Sequence, residues 1–129
     1  MAGVPAQDFE SRLGQIVGSL RAGGHTRVLV ASTPPVDKLP AFAACQAGQP
    51  TCPIKGAPVP SAAELEALVG AYNAAIGRVA AAHGATPVDL SGAGATIASH
   101  PEYLASDGFH PSAAGAAVLA QAFYTAWRS

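Results

Sequence analysis

The sequence is short of charge. Only 12% of its 129 residues are Asp, Glu, Lys or Arg, and the net charge is −1. Proteins attract nucleic acids and anionic membranes mainly through clustered Lys and Arg, so this composition argues against both partners. Long apolar runs are missing as well. None approaches the roughly 20 residues that a transmembrane helix needs, so we expect no membrane span.

Signals for export and for metal binding are also missing. The amino end, MAGVPAQDFE, has neither the basic nor the apolar segment of a signal peptide, so we expect no export signal in the chain as written. The histidines His25, His83 and His100 are scattered, and none lies beside a cysteine pair at ligand spacing. We therefore expect no metal and no cofactor.

Cysteine is limited to two residues, in the stretch CQAGQPTC. Cys45 and Cys52 lie in a polar segment that contains Pro and Gly, where a short disulfide-closed loop is sterically easy. Two free thiols in a reducing cytosol fit the same spacing. The sequence leaves both alternatives open.

Half of the residues are apolar, which is enough to form the buried core of one domain. Apolar stripes and turn residues predict its elements. The predicted elements are a helix over 7–22, a strand over 27–31, a long Pro/Gly-rich loop over 34–60, a helix from the Ser61–Glu64 capping box to Gly84, a strand over 87–90, and a helix that Pro111 opens. The stripes expected to be buried are Phe9, Leu13, Ile16, Val17 and Leu20 in the first helix, Leu65, Leu68, Val69, Tyr72, Ile76 and Val79 in the second, and Leu119, Phe123 and Trp127 in the third.

Alternating helices and strands predict an α/β fold with parallel strands and helices on the faces of the sheet. Two strands are too few for such a sheet, because parallel sheets are normally larger and buried on both faces. The strand over 27–31 should pair with another strand on its free side. We therefore expect residues 1–129 to be the carboxyl-terminal part of a larger doubly wound sheet.

The strongest candidate for chemistry is the stretch SDGFHP, residues 106–111. Ligands of doubly wound sheets bind beyond the carboxyl ends of the strands, and this stretch is predicted to lie there. His110 could take a proton from a hydroxyl nucleophile, and Asp107 could orient its ring. The alternative is that Asp107 only forms a turn and that His110 only precedes a capped helix.

Four segments, in the same order, resemble the SGNH (GDSL-type) hydrolases. The stretch DGFHPSAAGAAVLAQAF is similar to the last block of that family, in which a D-x-x-H-P element supplies the catalytic Asp and His. The other three are similar to the helix after the G-x-N-D block (AGVPAQDFESRLGQIVGSLRAGG), to the fourth strand with its Pro-Pro turn (RVLVASTPPVDKLPAF), and to the helix and fifth strand before the last block (YNAAIGRVAAAHGATPVDLSG).

The resemblance implies a three-layer, doubly wound, flavodoxin-like parallel sheet, and it implies a serine ester hydrolase of the esterase or lipase type. It assigns Asp107 as the orienting acid and His110 as the general base. The family's G-D-S block, its glycine block and its G-x-N-D block do not occur here. The nucleophile and the oxyanion donors therefore stay unassigned, and we expect the isolated chain to be inactive.

Serines at the ends of predicted strands could replace the nucleophile, but we expect them not to. Ser32, Ser91 and Ser106 lie in no strand–nucleophile–helix elbow, and hydroxyls at strand ends usually bond to turns. Among weaker candidates, we expect Asp37 and Lys38 to be a solvated loop pair and Asp89 to be a turn acid. The helical residues Tyr72 and Asn73 are expected to pack.

Two further hypotheses stay open beside an ester hydrolase that acts on a small-molecule ester. The chain could be a non-catalytic assembly module that pairs through its open sheet edge, either with itself or with an amino-terminal portion. It could also be a truncated product that folds poorly. The resemblance and the cysteine pair suggest an extracellular parent protein, whereas the location of this chain is left open.

Overall fold

The computed structural model describes residues 4–129. Ala2 and Gly3, which begin the segment compared with the family's helix, lie outside the described residues. The elements are, in chain order, α1 (Ala6–Leu20), β1 (Leu29–Ala31), α2 (Pro40–Gln46), α3 (Ala62–His83), β2 (Thr86–Val88), α4 (Ala93–Ser99) and α5 (Ala113–Arg128), with 3₁₀ turns at Val36–Lys38 and Pro101–Tyr103.

Helix α3 has the boundaries that its sequence predicts. The Glu64 N–H donates to the Ser61 hydroxyl at 3.2 Å, and the Ser61 N–H donates to the Glu64 carboxylate at 2.8 Å. This reciprocal pair is the predicted capping box, which satisfies two donors at the helix start. Gly84 ends the helix in the left-handed conformation, with φ of 64°, which glycine adopts without steric cost.

Strands β1 and β2 form a parallel pair in which Val30 lies opposite Pro87. Helix α3 is the crossover between them, and α3 and α5 each contact both strands. Both strands are shorter than predicted. β2 ends at Val88 because the chain turns at the next residue, Asp89, whose carboxylate accepts a hydrogen bond from the Ser32 hydroxyl. The chain is α/β and helix-rich with a small parallel sheet, and the larger doubly wound sheet stays a proposal.

The core lies between α1, α3 and one face of the sheet. Val17 packs with Val79 and Ala80 of α3, and Val28 and Val30 pack partly buried against this cluster. Because side chains alternate along a strand, Val28 and Val30 point to the same face of the sheet. The predicted inward stripes of α1 and α3 are therefore confirmed where the two helices meet the sheet.

Small residues let α1 and α3 approach each other. A Cβ atom at Gly18 would lie 3.2 Å from Cε1 of His83, and one at Gly14 would lie 3.4 Å from Nε2 of the same ring. The ring of His83 thus lies over two glycines of α1. Tyr72 also joins the helices, because its ring meets that of Phe9 edge-on at 4.7 Å. The expected packing role of Tyr72 is confirmed.

Part of the predicted core is uncovered. Ile16 and Leu20 on α1 are 58% and 52% exposed, and Phe123 and Trp127 on α5 are 37% and 48% exposed. The prediction that these stripes are buried is wrong for the four residues, since no element within residues 4–129 covers them. Leu68 on α3, 43% exposed, departs from its predicted stripe in the same way. β1 is likewise only half-buried, and among the described residues it has a single partner strand.

The long loop predicted over 34–60 contains a helix. Pro40 stands at the start of α2, where the missing proline N–H costs nothing, and Phe42 and Cys45 are buried. The second predicted loop likewise contains α4 and a 3₁₀ turn. Short helices of this kind depend on tertiary packing more than on propensity, which explains why their apolar period is weak in the sequence.

Cys45 and Cys52 form a disulfide bond that joins α2 to the segment after it. Of the two alternatives that the sequence leaves open, the structure has the disulfide. None of the helices within residues 4–129 has the length and apolar character to cross a membrane.

We predict that replacing both cysteines, as Cys45→Ala with Cys52→Ala, lowers the free energy of unfolding by about 2 kcal/mol. The bond closes a loop with a sequence separation of 7, and loop-closure entropy at that length corresponds to roughly this amount. Urea unfolding measures the change, and wild-type protein treated with a reductant is the matched control. Reduction that leaves the unfolding midpoint unchanged would contradict the prediction.

Candidate active site

Asp107 and His110 meet in one tight turn. Oδ2 of Asp107 lies 2.6 Å from Nδ1 of His110. Oδ1 of Asp107 accepts the backbone N–H groups of Phe109 and His110 at 2.9 and 3.0 Å. One carboxylate thus forms three hydrogen bonds within its own turn, and the imidazole is held by one ring nitrogen. The structure brings the two predicted residues into direct contact.

Gly108 allows this turn to form and to pack against α2. Its φ is 66°, in the left-handed region that side chains with a Cβ atom rarely adopt. A Cβ atom there would lie 3.0 Å from Cβ of Pro40 and 3.1 Å from the backbone nitrogen of Ala41. Instead, the Ala41 N–H donates to the Gly108 carbonyl at 3.2 Å. Helix α2 therefore supports the turn from behind.

The chain on either side of the turn is also fixed. Leu104 and Pro111 form an antiparallel bridge, and the Ala105 N–H donates to the His110 carbonyl at 2.9 Å. The prediction that Pro111 is the first residue of the last helix is therefore wrong. The helix begins at Ala113, because the Ser112 hydroxyl accepts the N–H of Gly115 at 3.2 Å and acts as the cap.

The hydrogen bonds lower the pKa of Asp107 from its usual value of 3.8 to about 2. The bond from His110 is the largest cause, followed by the backbone N–H groups of Phe109 and His110. Asp107 is therefore ionised at neutral pH and only accepts hydrogen bonds, so Nδ1 of His110 carries the hydrogen between them. When the ring is neutral, Nε2 is left as the basic nitrogen.

His110 faces solvent. Its side chain is 70% exposed and that of Asp107 is 45% exposed. The edge of the Phe109 ring meets the imidazole, with centroids 5.1 Å apart. No hydroxyl within residues 4–129 forms a hydrogen bond with Nε2 of His110. The arrangement can accept and return a proton, but no described hydroxyl is hydrogen-bonded to it.

The serines that follow the strands bond to a turn instead. Ser32 accepts the N–H of Leu90 at 2.8 Å and donates to Asp89 at 3.3 Å. Ser91 donates its hydroxyl to Asp89 at 2.6 Å and its N–H at 2.8 Å. These bonds, those of Ser91 first, lower the pKa of Asp89. The expected turn role of all three residues is confirmed.

Two other residues differ from their expected roles. Asn73 does more than pack, because its side chain accepts the Thr33 N–H at 2.7 Å and donates to the Thr33 carbonyl at 2.9 Å. It fixes the loop after β1. Asp37 is not solvated, since its side chain is 3% exposed. Its Oδ2 forms an ion pair with Nζ of Lys38 at 2.7 Å, without hydrogen-bond geometry.

The residues that support the site were not predicted. Pro40 and Ala41 pack against Gly108 although they lie far from it in the sequence. Proline followed by AFAAC is typical of a helix start and could have indicated α2. Nothing in the sequence indicates that α2 contacts the turn.

We predict that the Asp107 carboxyl titrates near pH 2 in the folded protein. Because its pKa is lower folded than unfolded, the ionised group stabilises the fold above about pH 4, and this contribution is lost as the pH falls through about 2. Carbon-detected NMR of the carboxyl measures the midpoint. Asp107→Asn should remove this part of the acid dependence of unfolding. A midpoint near 3.8 would be inconsistent with the three hydrogen bonds.

Comparison with known proteins assigns the chain to a family. A sequence model of the GDSL-like Lipase/Acylhydrolase family matches residues 1–118, a stretch that includes the whole Asp107–His110 turn. Searches of curated proteins and of solved structures found no match. The family match covers most of the chain, which agrees with the predicted resemblance. The chain belongs to the GDSL-like lipase/acylhydrolase family of hydrolases.

Proposed function

We propose that Asp107 and His110 are the acid–base pair of a serine ester hydrolase, and that its nucleophile lies outside these 129 residues. The observation that carries the proposal is the 2.6 Å contact between Oδ2 of Asp107 and Nδ1 of His110, whose side chain is 70% exposed. An ionised carboxylate on one ring nitrogen and an accessible second nitrogen are what a general base requires.

The proposed reaction is acyl transfer. A serine oxygen attacks the ester carbonyl while Nε2 of His110 takes the serine proton, and the carbonyl oxygen becomes an oxyanion. The tetrahedral intermediate then collapses, and the imidazolium gives its proton to the leaving alcohol oxygen. Water repeats the two steps on the acyl-enzyme and releases the acid. Asp107 stays ionised throughout and stabilises the imidazolium.

A nucleophile from elsewhere is favoured by the bonding of the serines. Ser32 and Ser91 share Asp89 as an acceptor, and moving either hydroxyl to His110 would break the turn after the strands. Ser106 precedes Asp107 and forms no hydrogen bond with the imidazole. We propose that the missing serine and the oxyanion donors come from an amino-terminal part of the same kind of domain.

The uncovered surface supports a carboxyl-terminal segment of a larger doubly wound sheet. Within the described residues β1 pairs only with β2, and apolar residues of α5, which contacts both strands, are exposed. An added strand next to β1 would complete its hydrogen bonding. The disulfide further supports an oxidising compartment for the parent protein.

The same open edge favours a second candidate, a non-catalytic module that assembles through β1. Two copies could pair edge to edge and bury Ile16, Leu20 or Trp127 at their contact. In this case the Asp107–His110 turn would be a structural turn only.

We predict that the 129-residue chain has no activated serine. A fluorophosphonate probe followed by peptide mass spectrometry should find no labelled residue, because Ser32 and Ser91 are bonded to Asp89 and no described serine is hydrogen-bonded to His110. Hydrolysis of 4-nitrophenyl acetate should show neither a burst nor saturation with substrate in wild type or in His110→Ala. Labelling at Ser32, Ser91 or Ser106 that His110→Ala abolishes would show that the chain has its own nucleophile.

We predict esterase activity when an amino-terminal segment with the family's Gly-Asp-Ser block precedes residue 4. In that protein His110→Ala and Asp107→Asn should each lower kcat by about 10⁴-fold, because the members of a triad act as a unit. Asp89→Asn is the matched control, since Asp89 is a hydrogen-bonded carboxylate of the turn after β2 and does not bond to His110. Activity that survives His110→Ala in a protein with native circular dichroism would contradict the acid–base role.

We predict that the isolated chain self-associates in solution, because its sheet edge and apolar faces are uncovered within the described residues. Light scattering across a tenfold concentration range measures the mass. Replacing Leu29 with proline, which blocks β1 hydrogen bonding, should lower the mass if the edge is the contact. A stably folded monomer at all concentrations would count against the edge argument.

A further inference from the structure

The disulfide lies on the same helix that supports the Asp107–His110 turn. Ala41 and Cys45 are four residues apart in α2, so they share one face of the helix and lie one turn apart. Both are buried, at 4% and 6% exposure. The Ala41 N–H donates to the Gly108 carbonyl at 3.2 Å, and Cys45 is bonded to Cys52. A single helical turn therefore separates the disulfide from the backbone contact behind the candidate catalytic pair.

Helix α2 is too short to hold its position alone. It has 7 residues, and helices of that length are not stable in water without tertiary contacts. Among the described helices, strands and 3₁₀ turns, it contacts only the 3₁₀ turn Val36–Lys38, which directly precedes it. After Cys52 the chain over residues 53–61 is irregular and mostly exposed. The position of α2 thus depends on a small number of individual contacts.

The disulfide is the strongest link between the carboxyl end of α2 and the chain that follows. The Gln46 side chain also donates a hydrogen bond to the Pro60 carbonyl at 2.5 Å, in exposed surroundings. Water competes with such a hydrogen bond, whereas the covalent bond persists until it is reduced. Because Phe42 is buried independently of the disulfide, we expect reduction to loosen α2 and not to detach it.

We propose that the Cys45–Cys52 disulfide is a redox-sensitive positioning element for the Asp107–His110 pair. In the oxidised protein α2 stays packed against Gly108, and the carboxylate stays in contact with the imidazole. In the reduced protein α2 loosens and the turn samples other conformations. A dithiol supplies the two electrons and two protons that convert the disulfide to two thiols, and the dithiol itself becomes a disulfide. The catalytic consequence rests on the proposed function, whereas the change in the turn does not.

The test follows the turn in the 129-residue chain. Wild type is compared with the double cysteine variant, Cys45→Ala with Cys52→Ala, by carbon-detected NMR titration of the carboxyl groups. The midpoint of Asp107 should rise by about one unit from about 2 toward 3.8, because its three hydrogen bonds are formed for less of the time. The carboxyl of Glu10, which pairs with Arg78 at the contact of α1 with α3, is the reference and should not move.

Nitrogen NMR of the His110 ring is a second measurement that needs no acid. At a pH where the ring is neutral, Nδ1 carries the hydrogen in the oxidised protein because it donates to Asp107. After treatment of wild type with dithiothreitol, the Nδ1 and Nε2 signals should move toward each other, since the ring is no longer held in one tautomer. Reoxidation should restore the original signals.

Two variants separate positioning from stability. Val79→Ala opens a cavity in the core between α1 and α3 and lowers the free energy of unfolding, but it should leave the Asp107 midpoint near 2. Gly108→Ala breaks the packing of the turn against α2, so removing the cysteines as well should shift the midpoint no further. If Gly108→Ala does not fold, Pro40→Gly, which removes the side chain beside Gly108, takes its place.

Two results would overturn the proposal. An Asp107 midpoint that stays near 2 in the double cysteine variant, together with a lower urea midpoint, would show that the disulfide acts on stability alone. An equal rise of the Asp107 midpoint in Val79→Ala would show that any loss of stability loosens the turn.

The esterase obtained with an amino-terminal segment separates this inference from the proposed function. The double cysteine variant should lower its kcat about tenfold at an unchanged KM, because a misoriented general base affects the chemical step. A His110-dependent esterase whose kcat does not change would reject the positioning role and keep the proposed function. A shifted Asp107 midpoint in a protein without esterase activity would reject the proposed function alone.

Discussion

The hydrogen bond between Asp107 and His110 is the interaction on which the proposed chemistry of this chain depends. The His110 bond, with the backbone N–H groups of Phe109 and His110 beside it, lowers the pKa of Asp107, so the carboxylate stays ionised well below neutral pH. The geometry is possible only because residue 108 is glycine and because α2 packs against its backbone. The orientation of the imidazole thus depends on a helix that contributes no functional side chain.

A second constraint is the size of the sheet. Two short strands bury one face against α1 and α3, yet they leave an edge and several large apolar residues exposed within residues 4–129. Two independent observations, the uncovered apolar surface and the lack of a hydroxyl bonded to His110 among the described residues, support the same proposal. The proposed larger domain would account for both.

How much the sequence predicts depends on the range of the interactions. The capping box of α3, its end at Gly84 and the contact of Asp107 with His110 all involve residues within a few positions of each other, and each was predicted. The support of Gly108 by Pro40, and the hold of Asn73 on Thr33, join residues far apart in the chain. No local pattern encodes such contacts. The start of α5 was misplaced because Pro111 and Ser112 both suit a helix start, and only the bonds of Ser112 to the 3₁₀ turn decide between them.

The bonds inside the Asp107–His110 turn span only two or three residues, so little chain entropy is lost in closing them. With α2 in place behind Gly108, the geometry of the Asp107–His110 pair therefore depends only weakly on whether a nucleophile is present. Gene fragmentation, domain fusion or recombination could separate it from its serine without disturbing the turn. An intact Asp–His pair in a protein of this family is consequently weak evidence that the protein is an active enzyme. The presence of the nucleophile is the better criterion.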